Sequence, residues 1–149
     1  MCMAYAPSGE HLAVGYAGGH VKLFNPASLA LIHNLFPAPL VVRGQADLFS
    51  MAYAPNGKKN LGLGYYGGYV ELLNTSSLTM VQCCATPHPS STLCVAYAPS
   101  GDHLAVGYSD GRVEIRQADS LALVDIVMCY PEHSPCCIAY PPTTPSRCF

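Results

Sequence analysis

Eight cysteines and six histidines are the side chains in this 149-residue chain best suited to hold a metal or attack a substrate. Cys83, Cys84, His88 and Cys94 form one Cys/His group, and Cys129, His133, Cys136 and Cys137 form another. Structural zinc takes four such ligands, usually from Cys-x2–4-Cys pairs that a short loop can aim at one point. The spacing here is irregular, so both groups read as core and loop thiols. Nucleophilic catalysis needs a Ser or Cys with a base and an orienting acid in reach. His11 beside Glu10 and His103 beside Asp102 supply base and acid, but the two pairs are equivalent positions of one turn whose role is structural. Gly18-Gly19 and Gly67-Gly68 lead into no helix that could cradle phosphate, and they read as hairpin turns. No catalytic residue, metal or cofactor is assigned.

The elements that carry these residues are copies of one another. Ala-Tyr-Ala-Pro-Ser-Gly, Leu-Ala-Val-Gly-Tyr and Ser-Leu-Ala-Leu recur at the same offsets from Met3 and from Val95, and a third version starts at Met51. Pro7, Pro55, Pro99 and Pro142 stand 48, 44 and 43 residues apart. Each copy holds short strand-like runs without helical periodicity, so the unit is all-β. A period of ~40–45 residues with four strands per unit belongs to propeller blades.

Within the first copy, Pro7-Ser8-Gly9 closes one run, Gly18-Gly19 joins the next two, and Asn25 to Ser28 breaks the third from a fourth. The result is a four-stranded antiparallel meander. Leu12 to Tyr16 shows little polar alternation, which predicts a strand covered on both faces, as stacking blades would do. Gly15, Gly64 and Gly107 share one repeat position and mark a close approach of backbones. We read one partial β-propeller over 1–149, with blades at about 2–36, 48–84 and 93–129, a partial inner strand at 137–140 and an irregular tail at 141–149. Asn60 is one extra residue, assigned to a turn. Cys2, Cys94 and Cys137 share a repeat position that suits a small buried side chain.

Composition narrows the function. Half the residues are apolar and only 11% are charged, with seven basic residues scattered against nine acids. A nucleic-acid partner would require a concentrated positive field, so none is expected. The N-terminal residues show no basic and apolar leader, and no run is long enough for a membrane span. Reduced thiols then point to the cytoplasm.

Tyr97-Ala98-Pro99-Ser100-Gly101, Leu104-Ala105-Val106-Gly107-Tyr108 and Ser109-Asp110-Gly111-Arg112-Val113-Glu114-Ile115 resemble a WD-repeat β-propeller. The resemblance covers residues 2 to about 140. The Trp-Asp that ends the third strand in that family is replaced here by Phe24-Asn25, Leu73-Asn74 and Arg116-Gln117. The resemblance also implies a hydrogen-bonded set around the tight turn, of which a His88 to Asp110 contact is what this chain retains.

Such a meander places the turns after each second strand, together with the inter-blade connectors, at one end of the sheets. That end gathers Ala17, His20, Tyr66, Tyr69, His88, Ser109, Asp110, Arg112 and His133. In the resembled family it receives peptides, and Tyr and Arg are frequent interface anchors. The expected function is therefore a non-catalytic scaffold segment for a protein or peptide partner. The alternatives are a truncated propeller without independent function, or a propeller-based enzyme or metal-binding module. Three blades fall short of a ring of about four to eight, so further blades or self-association are expected to close it.

Overall fold

The computed structural model describes residues 1–35, 47–86, 90–129, 134–135 and 137–141. Strands β1 (Cys2–Tyr5), β2 (Leu12–Gly15), β3 (Val21–Phe24) and β4 (Leu31–Leu35) form the first sheet. The second holds β5 (Leu48–Tyr53), β6 (Asn60–Tyr65), β7 (Tyr69–Asn74) and β8 (Thr79–Ala85). β9 (Thr92–Tyr97), β10 (His103–Tyr108), β11 (Arg112–Gln117) and β12 (Leu123–Met128) make the third. Each sheet is an antiparallel meander in chain order. The fold is all-β, a partial propeller of four-stranded blades. Among the described residues no helix is long and apolar enough to cross a membrane.

Turn chemistry sets the strand ends. Gly9 and Gly101 take φ of 73° and 76°, the left-handed region that a Cβ disfavours, and their N–H groups donate to Ala6 O and Ala98 O at 2.8 Å. In the second blade the turn is one residue longer: Ala54 N donates to Asn60 O, where Ala6 N and Ala98 N donate to His11 O and His103 O. The extra residue is therefore taken up between Pro55 and Lys59, where Asn56 and Gly57 are both left-handed. Asn60 itself opens β6, opposite Asn74, which corrects its assignment to the turn. After each third strand the chain turns through a left-handed leucine: Leu29, Leu78 and Leu121, with φ of 56°, 58° and 59°. Asn25 and Asn74 hold two of these turns, each accepting two backbone N–H bonds on its Oδ1.

Every sheet has a small-residue face and a large-residue face, because opposed residues of an antiparallel pair share a side. Cys2, Gly15 and Val21 lie in register on one face of blade 1, with Met3, Val14 and Lys22 on the other. The small face of one blade receives the large face of the next. Ala13, Val21 and Leu23 pack on Met51, Leu61, Leu63 and Leu73 between blades 1 and 2. Val70 and Leu72 pack on Val95, Leu104, Val106 and Tyr108 between blades 2 and 3. Burial of each such side chain stabilises the stack by roughly 1.5–3 kcal/mol. The glycines permit it: a Cβ on Gly15 would meet Leu48 and Met51 at 2.4 and 2.8 Å, and one on Gly64 would meet Thr92 at 2.5 Å.

Residues 137–140, expected as a partial inner strand, join no ladder among the described residues. They nevertheless lie against blade 3. A Cβ on Gly107 would meet Pro135 Cγ at 3.0 Å and Ile138 Cδ1 at 3.2 Å, and Cys94 Sγ lies 3.4 Å from Pro135 O.

Candidate functional site

Meander geometry puts the 66–68 and 109–111 turns, the Ala17–Gly19 turn and the described connector residues at one end of the sheets. The opposite end is cross-tied. Asn56 Nδ2 donates to Pro99 O at 2.9 Å, Lys58 Nζ to Gly101 O at 2.9 Å, and Lys59 Nζ to Glu10 Oε2 at 2.6 Å. Side chains there are engaged in holding neighbouring turns together.

At the connector end, blade 3 carries a continuous polar chain. Asp110 Oδ2 accepts from Ser90 Oγ at 2.7 Å and from Arg112 Nε at 2.8 Å, and its Oδ1 accepts from Arg112 N at 3.1 Å. Burial would raise the Asp110 carboxyl, but the bonds from Ser90 and Arg112 outweigh it and hold the group below the usual carboxylate range. Arg112 in turn reaches Glu114 Oε1 at 3.4 Å and lies over the Tyr108 ring, 5.3 Å from its centroid. Glu114 Oε2 accepts from Tyr108 Oη at 2.9 Å and from Arg116 Nε and Nη2 at 2.9 and 2.7 Å. Arg116 Nη1 closes the chain on Leu121 O at 2.6 Å. β11 supplies Arg112, Glu114 and Arg116 on one face because they are two residues apart. Ser109 is exposed, and the backbone pair Ser109 and Ser91 ties turn to connector, N to O, at 2.9 Å.

Tyr66 opens a 3-10 turn, Tyr66–Gly68, with Gly67 and Gly68 left-handed. Tyr66 is 45% exposed, and its ring lies 6.2 Å from that of Phe49, itself 44% exposed, at an interplanar angle of 53°. Phe49 sits at the register shift between Leu48 and Ser50, so the bulge turns its side chain outward. Tyr69 begins β7 and its carbonyl accepts from Thr92 Oγ1 at 3.3 Å.

Of the expected face, Ser109, Asp110 and Arg112 are brought together, and Tyr66 and Tyr69 flank one turn. His20, half-buried, belongs to blade 1. His88 and His133 lie outside the described residues. Sequence reasoning missed Phe49, Ser90 and Glu114. Glu114 is the repeat equivalent of Glu71 and Lys22, so comparison of the copies could have singled it out. Phe49 looked like any apolar strand residue.

The cysteine position is also uneven: Cys94 is buried, Cys2 half-buried and Cys137 exposed. Burial pushes the Cys2 thiol up, more than the nearby N-terminal ammonium lowers it. Among the described residues no three His, Cys, Asp or Glu side chains converge as metal ligands would.

Residues 81–115 match the family described as WD domain, G-beta repeat. The match runs from β8 of one blade to β11 of the next, so the family's sequence unit straddles two sheets. With three four-stranded meanders stacked face to face, the chain has the architecture of a partial β-propeller, and residues 81–115 within it are similar to a WD repeat. WD repeats in general serve as protein-interaction scaffolds. Comparison with curated proteins finds no match.

Proposed function

We propose that the chain is a non-catalytic scaffold segment whose connector end binds a protein or peptide partner. The observation that carries this reading is the exposed Phe49 and Tyr66 pair beside the 66–68 turn. Two half-exposed rings presented together on a rigid sheet form an anchor of the kind that dominates binding energy. Ser109, Asp110 and Arg112 supply a polar neighbourhood at the same end, and His20 a further edge contact. The net charge of −2 and scattered basic residues favour a polypeptide over a nucleic acid. The cytoplasm is the compartment in which its many thiols stay reduced.

Peptide display against the full chain tests the reading. Selected peptides should lose binding at least tenfold to a Phe49→Ala/Tyr66→Ala variant and keep it for Lys58→Ala at the cross-tied end. Peptides that ignore the ring pair and depend on Lys58 would refute it.

A further inference from the structure

The two outermost sheet faces of the described stack are complementary, and one is already occupied by a stand-in. Blade 1 presents its large-residue face to solvent. Met3, Tyr5 and Leu29 are 59%, 64% and 66% exposed. Their repeat equivalents in blade 2 are Met51, Tyr53 and Leu78, and in blade 3 Val95, Tyr97 and Leu121, which pack in the inter-blade cores. Met51 falls to 7% exposure and Leu121 to 2%. Blade 1 is thus shaped for a small-residue face that is not covering it.

Blade 3 carries such a face. Cys94, Gly107 and Val113 lie in register, as Cys2, Gly15 and Val21 do in blade 1 and Ser50, Gly64 and Val70 do in blade 2. Both of those equivalents receive a large face. Charge also matches. Lys22 lies opposite Val14 on the open face of blade 1, and Asp125 lies opposite Ile115 on the open side of blade 3. Lys22 is the equivalent of Glu114, which lies on the blade 3 face whose core Cys84 of the preceding blade packs against. Cys84 pairs with Val70 as Val127 pairs with Val113, so Lys22 stacked on blade 3 would land at Val127. Asp125 is two residues along the same face of β12, roughly 7 Å away and within a lysine's reach.

Residues 134–135 and 137–141 fill part of this seat. Cys137-Ile138-Ala139-Tyr140 repeats Cys2-Met3-Ala4-Tyr5, and Ile138 rests on Gly107 as Met51 rests on Gly15 and Val95 on Gly64. Pro135 likewise takes the place of Leu48 and Thr92. The segment's contacts include Cys94 Sγ to Pro135 O, Ser134 Oγ to Ser109 O at 2.8 Å and this packing, and among the described residues it joins no sheet ladder. β1, by contrast, has four residues paired with β2. Displacing residues 134–135 and 137–141 therefore breaks no described ladder, whereas β1 arrives already paired in its own sheet.

We infer that blade 1 of a second copy of this chain docks on blade 3, and that Ser134, Pro135 and residues 137–141 are a placeholder which the incoming β1 displaces. The contact is heterologous, so two copies that repeat it close a ring of six blades, within the four to eight that propellers use. The placeholder shields the small face until a second chain arrives.

Sedimentation velocity of the full chain from about 1 to 100 µM, a range that brackets micromolar Kd values, tests this. Wild type should move from a one-chain to a two-chain species. Met3→Asp, an exposed change that leaves the fold intact, should stay one-chain throughout. Ile138→Asp, which weakens the placeholder outside any ladder, should form the two-chain species at concentrations at least fivefold lower. Lys22→Asp should weaken association, and Lys22→Asp with Asp125→Lys should restore it. Circular dichroism confirms that each variant is folded. One-chain behaviour of wild type and Ile138→Asp alike, association indifferent to Met3→Asp, or polymers that grow without limit would each overturn the inference.

Discussion

The Tyr65 hydroxyl donates to Glu71 Oε2 at 2.9 Å inside the stack between blades 1 and 2, while Glu71 Oε1 has no hydrogen-bond partner among the described residues. Tyr108 and Glu114 repeat the bond at 2.9 Å one blade later. The two acids differ in their support. Glu114 is flanked by Arg112 and Arg116, whereas the same positions around Glu71 hold Tyr69 and Leu73. Burial raises the Glu71 carboxyl to about 7, and the bond from Tyr65 offsets that only in part.

Stability should therefore fall as pH rises. A folded-state value of about 7 against 4.5 unfolded means the folded chain holds the proton more tightly. The stabilising effect of the protonated form is fully present below pH 4.5 and is lost as pH climbs through 7, a change of about 3 kcal/mol for this group. Glu71→Gln keeps the acceptor for Tyr65 and removes the titration. Urea unfolding from pH 5 to 8 should show a declining midpoint for wild type and a flatter, higher one for the variant above pH 7. Parallel curves would assign the charge elsewhere.

Arg116 should be costly to remove and cheap to replace together with its partner. Arg116→Ala leaves Glu114 buried with the more distant Arg112 contact, and breaking such a pair costs about 3–5 kcal/mol. Glu114→Gln with Arg116→Leu imitates the apolar solution that Leu73 represents in blade 2. Denaturant unfolding should place the double variant within about 1 kcal/mol of wild type. A double variant no better than Arg116→Ala would mean the arginine acts through its bond to Leu121 O rather than through Glu114.

The architecture was legible because the proline spacing and the Tyr-Ala-Pro phrase recur, and repetition survives divergence of the signature Trp-Asp. Gly15, Gly64 and Gly107 also announced their role, since a position that forbids a Cβ in three copies marks a stacking plane. Other features depend on relations that one copy does not display. Asn60 looked like the inserted residue, yet its carbonyl takes the place of His11 and His103, and left-handed Asn56 and Gly57 absorb the extra length instead. Phe49 is turned outward by a bulge that no residue type signals. Glu114 appeared as an ordinary polar strand residue because its partners Arg112 and Arg116 are two residues away on the same strand, a spacing that matters only once the strand's face is buried.

Glycine at the stacking plane should tolerate a methyl group unequally. A Cβ at Gly64 would press on Thr92 Cγ2 at 2.5 Å and Val95 Cγ1 at 3.1 Å, both held in β9 of the next sheet. At Gly107 the neighbours are the Cys94 thiol at 2.5 Å and, beyond the sheets, Pro135 and Ile138. A thiol can rotate, and a segment outside the ladders can shift. Gly64→Ala should destabilise by about 2–3 kcal/mol and Gly107→Ala by about 1. Thermal melts giving equal losses would show that blade 3 binds Pro135 and Ile138 as firmly as blade 2 binds blade 3.

The left-handed leucines provide the sharpest contrast between one repeat position in two environments. Leu29 and Leu121 share a φ of 56° and 59°, a conformation that costs a non-glycine residue about 1–2 kcal/mol. Leu121 recovers that cost by packing in the core between blades 2 and 3, whereas Leu29 faces solvent in a single copy. Leu121→Gly should therefore destabilise by about 2 kcal/mol, since the lost burial exceeds the relieved strain. Leu29→Gly, measured in dilute solution, should stabilise the single chain by up to about 1 kcal/mol. At concentrations where two copies associate, the sign should reverse, because Leu29 then occupies the environment Leu121 has now. Persistence of the gain at every concentration would show that the open face of blade 1 stays uncovered.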